Sequence, residues 1–123
     1  MTRESPLYLA LREEAARKGM RLWRNNCGAF QDATGRWVRY GLANDSKVLS
    51  AHIKSGDLIG IRPVLILPEH VGTVIGQFIS RECKPAEWHF SPKDDREAAQ
   101  EQWNMLVRAL GGDAQFATRE GTL

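Results

Sequence analysis

The chain has 123 residues, of which 42% are hydrophobic and 26% are charged. These proportions are typical of one folded domain with one core and exclude a disordered chain. The net charge of +2 is uneven, because residues 1–62 hold 11 Lys and Arg against 6 Asp and Glu, whereas residues 63–123 hold 6 against 9. The basic half suits contacts with a nucleic-acid backbone, although a solvated face of a slightly basic protein explains it equally well.

The apolar residues and cysteines are not distributed as in a membrane or secreted protein. No run of eighteen apolar residues is present, so no membrane-spanning helix is predicted. The charged N-terminus has no apolar signal core, which predicts a protein that works in the cytoplasm. Cys27 and Cys83 are predicted to be reduced thiols, and the absence of a CxxC pair indicates no structural zinc site. No organic cofactor is predicted.

The first part of the chain predicts a helix and two strands. Residues 4–18 predict the helix because apolar residues recur at three-and-four spacing, and Gly19 ends it. Alternation of apolar and basic residues predicts strands at residues 20–24 and 36–40. Between them, residues 25–35 hold two turn sequences and no predicted strand.

The second part begins with a polar, irregular segment at residues 41–55, for which a short helix at 46–52 is one interpretation. The remaining elements are two strands, a helix and a last strand, at residues 57–61, 77–84, 96–110 and 113–118. Residues 57–67 and 74–84 are predicted to pair as a hairpin-like unit. The order of helix, strands, helix and strand predicts a mixed α/β fold in a single domain over residues 1–123.

Glu82 and Lys84 are the first candidates for chemistry. On a strand, residues two apart share a face, so Glu82 and Lys84 lie together and Cys83 points to the opposite, buried side. Burying a carboxylate and an ammonium is costly unless they are paired or bind something, such as a metal ion and a phosphate. An exposed ion pair at a strand edge is the alternative, and from this pattern alone it is favoured.

Asp57 is the second acidic candidate, since it opens an apolar strand between Gly56 and Gly60. An acidic residue beside glycine is also typical of a turn. If the hairpin-like unit forms, Asp57 and Glu82 lie on neighbouring strands, where two carboxylates repel unless a cation lies between them. Both carboxylates, with the backbone carbonyl of Cys83, would suit Mg²⁺.

Gln102 is the third candidate, because its spacing from Ala99 and Leu106 predicts that it lies on the apolar face of the last helix. A polar amide on such a face needs a hydrogen-bond partner. It could hold a water molecule or a phosphate in the same site, or it could be a satisfied structural amide.

These segments, taken in order, resemble the VRR-NUC (virus-type replication-repair nuclease) domain of the PD-(D/E)xK nuclease superfamily. The ordered set is more specific than any of its members and covers nearly the whole chain. In chain order the matching pieces are Glu4, residues 23–28, residues 35–42, residues 56–60, Glu82-Cys83-Lys84, Gln102-Trp103 and residues 111–114.

The resemblance implies a restriction-endonuclease-like core, in which a mixed central sheet is flanked by helices in the order α-β-β-β-α-β. It also implies phosphodiester hydrolysis with Mg²⁺ or Mn²⁺. Asp57, Glu82 and the Cys83 carbonyl would be metal ligands, Lys84 would position or activate the attacking water, and Gln102 would support that water. Glu4 would be an accessory metal ligand from the first helix, and Glu14 is the alternative for that role.

The resemblance also extends to partners. Small stand-alone members, typical of phages and bacteria, resemble Holliday-junction resolvases that act as homodimers on branched DNA in repair and recombination. The residues expected to contact DNA are Arg24, Asn25, Asn26, Arg36, Arg39 and Lys54. Residues 43–55 and 62–76 depart from the family pattern and look like extensions. A catalytically inactive DNA-binding module and a nuclease for RNA or single strands are the alternative functions.

Overall fold

The structure is a computed structural model that describes residues 5–123, and within them three helices and six strands form. The helices are α1 (Ser5–Arg17), α2 (Lys47–His52) and α3 (Asp95–Ala109). The strands are β1 (Arg21–Arg24), β2 (Gly28–Gln31), β3 (Trp37–Tyr40), β4 (Leu58–Ile61), β5 (Ile79–Cys83) and β6 (Asp113–Ala117). The predicted mixed α/β class is confirmed. None of the helices over residues 5–123 is long and apolar enough to cross a bilayer.

The chain divides into two compact units, the first ending at Gly60 and the second running from Ile61 to Leu123. The prediction of one domain over residues 1–123 stays a prediction. Each unit has its own helix-on-strand packing, as described next.

In the first unit, α1 ends as the sequence predicts. Gly19 has a φ of 77°, which its missing side chain allows. The Met20 N–H donates to the Ala15 carbonyl at 2.8 Å and the Gly19 N–H donates to Ala16 at 3.2 Å, so the last carbonyls of the helix are satisfied. The helix packs on β1, where Arg12 Nε donates to the Leu22 carbonyl at 3.1 Å.

β2 is a strand that the sequence analysis did not predict. It pairs antiparallel with β3 in a register that places Gly28 opposite Tyr40 and Gln31 opposite Trp37. Asp32 closes the connecting turn, since its Oδ1 accepts from the backbone N–H and the hydroxyl of Thr34. These hydrogen bonds lower the pKa of the Asp32 carboxyl.

The sheets differ from the single central sheet that the resemblance implies, because the described strands form three two-stranded sheets. β4 is hydrogen-bonded to β1, and β5 is hydrogen-bonded to β6. These partners replace the predicted hairpin-like pairing of residues 57–67 with 74–84. At one end of the first pair, the Asn25 N–H donates to the Asp57 carbonyl at 2.9 Å.

The second unit packs α3 on the parallel β5–β6 pair, whose register sets Ile79 beside Asp113 and Glu82 beside Phe116. Asp94 caps the helix by accepting from the Glu97 N–H at 3.0 Å, and Gly111, with a φ of 97°, ends it. The side chains of α3 that are fully buried are Val107 and Asn104. The predicted helix and final strand are confirmed.

Arg81 connects the two strands of this unit. Its guanidinium donates to the Asp113 carboxylate at 2.9 Å, to the Asp113 carbonyl at 3.0 Å and to the Thr122 carbonyl at 2.6 Å. The hydrogen bond from Arg81 lowers the pKa of the Asp113 carboxyl. A half-buried arginine with several acceptors therefore ties the C-terminal residues to the sheet.

Candidate active site

The face of β5 that meets α3 carries Ser80 and Glu82, since alternate residues of a strand share a face. Lys84 directly follows the last residue of β5, and its backbone N–H donates to the Ala117 carbonyl at 2.9 Å. Two hydrogen bonds join this face to the helix. Trp103 Nε1 donates to Ser80 Oγ at 3.0 Å, and Gln100 Nε2 donates to Glu82 Oε1 at 2.7 Å. The sharing of a face by Glu82 and Lys84 stays a prediction, because Lys84 lies just beyond β5.

Glu82 has unused acceptor capacity. Its side chain is half-buried, and Oε2 has no hydrogen-bond partner among the described residues. Gln100 Oε1 is also buried without a partner in that part of the chain. The burial cost applies to Gln100 Oε1, which therefore favours a bound cation or hydrogen-bond donor, because an unsatisfied buried acceptor is costly.

Lys84 lies against an aromatic cluster formed by Trp88, Phe90 and Phe116. Its Nζ is 5.7 Å from the centre of the Trp88 ring and 5.8 Å from the Phe116 ring, within the range of cation–π attraction. The Trp88 and Phe116 ring centres are 4.6 Å apart. The rings therefore hold the ammonium while its N–H donors remain available.

The alternative of an exposed Glu82–Lys84 ion pair is not what forms. Across residues 5–123 neither side chain takes part in a salt bridge, because Glu82 is held by Gln100 and Lys84 by the aromatic rings. The side chains of Glu82 and Lys84 thus have separate contacts, and both stay free to interact with a third group.

Two sequence-based expectations for this unit are wrong. Cys83 is exposed rather than buried, although it is a free thiol as predicted. Gln102 is exposed rather than on the apolar face of α3, and its amide approaches only Met105 Sδ, at 4.0 Å. Each residue advances an α-helix by about 100°, so Gln102 lies on the far side from Gln100.

Gln100 is the residue that the sequence analysis missed. It lies three, four and seven residues before Trp103, Asn104 and Val107, which is the spacing of one helical face. Ala99, which was predicted to lie on that face, is exposed. The spacing from Trp103 and Val107 alone would have identified Gln100.

In the first unit the structure brings together four of the predicted residues, Asp57, Asn25, Arg39 and Lys54. They line a cavity of about 400 Å³. The Asp57 side chain is exposed. A cavity with one carboxylate and two cationic side chains provides both a cation ligand and groups that attract phosphate.

Several of these side chains also have internal partners. Asn25 Nδ2 donates to Ser55 Oγ at 2.6 Å and to the Gly56 carbonyl at 3.0 Å, which fixes the chain just before Asp57. Arg39 donates to the buried Asn44, at 2.7 Å to Oδ1 and 3.1 Å to its carbonyl. Lys54 Nζ donates to the Ser50 carbonyl at 2.8 Å. These residues therefore shape the cavity as well as line it.

The other predicted DNA-contacting residues, Arg24, Asn26 and Arg36, are exposed and are not part of the cavity lining. The Arg24 guanidinium lies 5.2 Å from the centre of the Tyr8 ring. Glu4 lies outside the described residues. Its alternative, Glu14, forms an ion pair with Lys18 at 2.9 Å, which lowers the pKa of the Glu14 carboxyl.

Among residues 5–123, no cluster of three or more His, Cys, Asp and Glu side chains is arranged to hold a metal ion. Comparisons with protein-family models, with curated proteins and with solved structures find no match to this chain.

Proposed function

We propose that this chain is a metal-dependent DNA endonuclease with a restriction-endonuclease-like core, similar to VRR-NUC domains, that hydrolyses phosphodiester bonds in branched DNA. The observation that carries the proposal is the arrangement at the end of β5. Glu82 near the end of β5 and Lys84 directly after it form no salt bridge with each other, and Gln100 donates to the carboxylate at 2.7 Å. A carboxylate and an ammonium kept apart in this way are each available for another partner. The carboxylate can bind a cation, and the ammonium can bind a phosphate group.

Lys84 has the role of stabilising negative charge at the scissile phosphate. Its ammonium is half-buried against Trp88 and Phe116, where electrostatic interactions are stronger than in bulk water. The rings limit the positions that the side chain can take, so the charge is oriented before the substrate binds. Lys84 also provides a donor for the attacking water.

Glu82 and the Cys83 backbone carbonyl supply oxygen ligands of the kind that Mg²⁺ and Mn²⁺ bind. Glu82 Oε2 is the available oxygen, because Oε1 accepts from Gln100. Asp57 is retained as the second acidic ligand on the sequence pattern alone. A divalent cation, when bound, supplies charge stabilisation and makes a bound water more acidic. Gln100 fixes the orientation of Glu82 and takes the supporting role that the sequence analysis gave to Gln102.

The basic residues of the first unit, with Arg24, Arg36 and Lys54 foremost, are proposed to contact the DNA backbone. Such contacts raise affinity for any DNA and weaken with salt. We further propose that the protein acts as a homodimer in the cytoplasm of a bacterium or of a phage-infected host, since a two-fold dimer matches the symmetry of a four-way junction.

The experiment that tests the proposal is cleavage of labelled four-way junction, flap, duplex and single-stranded DNA and of RNA, with Mg²⁺, with Mn²⁺ and with chelator. We expect metal-dependent paired nicks in the junction. A Lys84→Met variant prepared alongside excludes a contaminating nuclease. Tight, metal-independent DNA binding without cleavage would instead establish a binding module. Cleavage of RNA or single strands alone would identify the other alternative.

Replacing either Gln100 or Gln102 with alanine, in two single variants, distinguishes the roles of the two glutamines of α3. Gln100→Ala removes the amide that orients Glu82, and we expect cleavage to fall about 10- to 100-fold, the usual effect of losing a group that supports a metal ligand. The Mg²⁺ concentration for half-maximal cleavage should rise as well. Gln102→Ala is the matched control and should change neither quantity. Equal effects of the two substitutions would contradict the assignment of Gln100.

A further inference from the structure

Residues 62–76, which we call the aliphatic arm, connect β4 to β5 and are the most exposed apolar stretch of the second unit. Except for a 3-10 turn at Pro68–His70, the arm has no regular secondary structure. Six of its aliphatic side chains, all within residues 64–74, have exposed fractions between 40 and 98%. They are Val64, Leu65, Ile66, Leu67, Val71 and Val74. Apolar surface of this extent on a soluble protein indicates an interaction site.

The size of this surface fits one side of a protein–protein interface. Together the six residues expose on the order of 700 Å², close to the roughly 800 Å² that each partner contributes to a standard interface. The only charged residues of the arm apart from His70 are Arg62 and Glu69, which stand on either side of the apolar run. Charged residues at the rim of an apolar patch are typical of such interfaces.

The order of residues in the arm is complementary to itself. The sequence from Arg62 to Glu69 is Arg-Pro-Val-Leu-Ile-Leu-Pro-Glu. It has a cation at one end and an anion at the other, a proline next to each, and four aliphatic residues between the prolines. When two copies lie antiparallel about a two-fold axis, Arg62 of each copy comes beside Glu69 of the other, and aliphatic residues face aliphatic residues. A two-fold interface requires this reciprocity, because residue i meets residue j while j meets i.

Several backbone groups near the ends of the apolar run cannot form β-sheet hydrogen bonds with another copy of the chain. Pro63 and Pro68 have no N–H to donate. The Leu67 N–H is already used by His70 Nδ1 at 2.9 Å, and the Leu67 carbonyl accepts from the His70 N–H at 2.9 Å. Side-chain packing between two copies is therefore favoured over extension of a sheet into a fibre.

We propose that the aliphatic arm is the homodimer interface of this protein, with two copies packed antiparallel across Leu65 and Ile66 and joined at each end by Arg62 and Glu69. The inference specifies the dimer of the proposed function. Its test measures self-association without DNA, so it can fail while cleavage is found, and it can succeed while cleavage is absent.

The test is sedimentation velocity of the full chain through the micromolar range, using charge reversals at the two ends. Arg62→Glu and Glu69→Arg each set like charges against one another twice in the dimer. We expect each to raise the dissociation constant about tenfold or more. The double variant restores both opposite-charge pairs and should dimerise as the wild type does. Both substituted positions are exposed, so unaltered thermal unfolding checks the fold.

The decisive sample is a one-to-one mixture of the two single variants. In that heterodimer both ends again join opposite charges, so the mixture should associate more tightly than either variant alone. The single variants exclude a parallel arrangement, because it already sets like charges together in the wild type and neither reversal would then weaken it. A monomeric wild type, single variants that dimerise normally, or a mixture that remains monomeric would each overturn the proposal. A Leu65→Asp variant should be monomeric alone and when it is mixed with either charge-reversal variant.

Discussion

Replacing Lys84 with methionine is expected to lower the cleavage rate by about 10²- to 10³-fold, the usual cost of removing one preorganised group that stabilises developing negative charge. Methionine keeps an unbranched apolar side chain against Trp88 and Phe116 and removes only the ammonium that lies 5.7 and 5.8 Å from their ring centres. The loss therefore reports the charge rather than the packing. Single-turnover cleavage of the preferred DNA substrate measures it.

Lys93→Met is the matched control, because Lys93 is an exposed lysine in the turn before α3. It removes the same charge from the same unit and should leave the single-turnover rate unchanged. Lys84→Arg keeps a positive charge but not the compact ammonium, and an intermediate rate is expected. Wild-type cleavage by a folded Lys84→Met protein would remove Lys84 from the mechanism.

Replacing Gly60 with alanine is expected to destabilise the first unit by about 3 kcal/mol, the upper part of the usual range for forcing atoms into a packed site. A Cβ built on Gly60 would overlap the Arg21 carbonyl oxygen and would lie 2.8 Å from the Arg21 carbonyl carbon. These are backbone atoms of the neighbouring strand, so β1 and β4 must separate to admit the methyl group. Urea unfolding followed by circular dichroism and tryptophan fluorescence measures the change.

Gly56→Ala provides the comparison for Gly60. A Cβ there would lie 3.6 Å from the Leu58 carbonyl oxygen, which is an ordinary van der Waals distance. The substitution is expected to change the free energy of unfolding by no more than about 0.5 kcal/mol. Equal stabilities of the Gly60 and Gly56 variants would mean that close approach of the strands does not require glycine at position 60.

The candidate site was predictable only in part. Glu82 and Lys84 could be placed at the end of a strand because the residue pattern of a strand is a local property. Their partners could not be predicted, since Gln100 and the rings of Trp88 and Phe116 meet them through packing between distant segments. The exposed side of Cys83 was missed for the same reason, because the strand pattern does not say which face the helix covers.

The helices and most strands of this protein, together with their ends, could be predicted from local sequence. Local signals were sufficient there: α1 ends at Gly19 through its positive φ, and Asp94 begins α3 by capping its first turn. The alternation of apolar and basic residues likewise identified β1 and β3. Each of these features depends on residues that lie close together in the sequence.

Which segments pair and which helical face is buried depends on contacts between residues far apart in the chain. β2 exists because β3 supplies its hydrogen bonds, and β5 pairs with β6, which follows α3, rather than with the preceding strand β4. Strand pairing depends on the packing of distant residues, which local periodicity does not encode. A shift of two residues turns a helix by about 200°, so one misassigned alanine was enough to exchange Gln100 for Gln102.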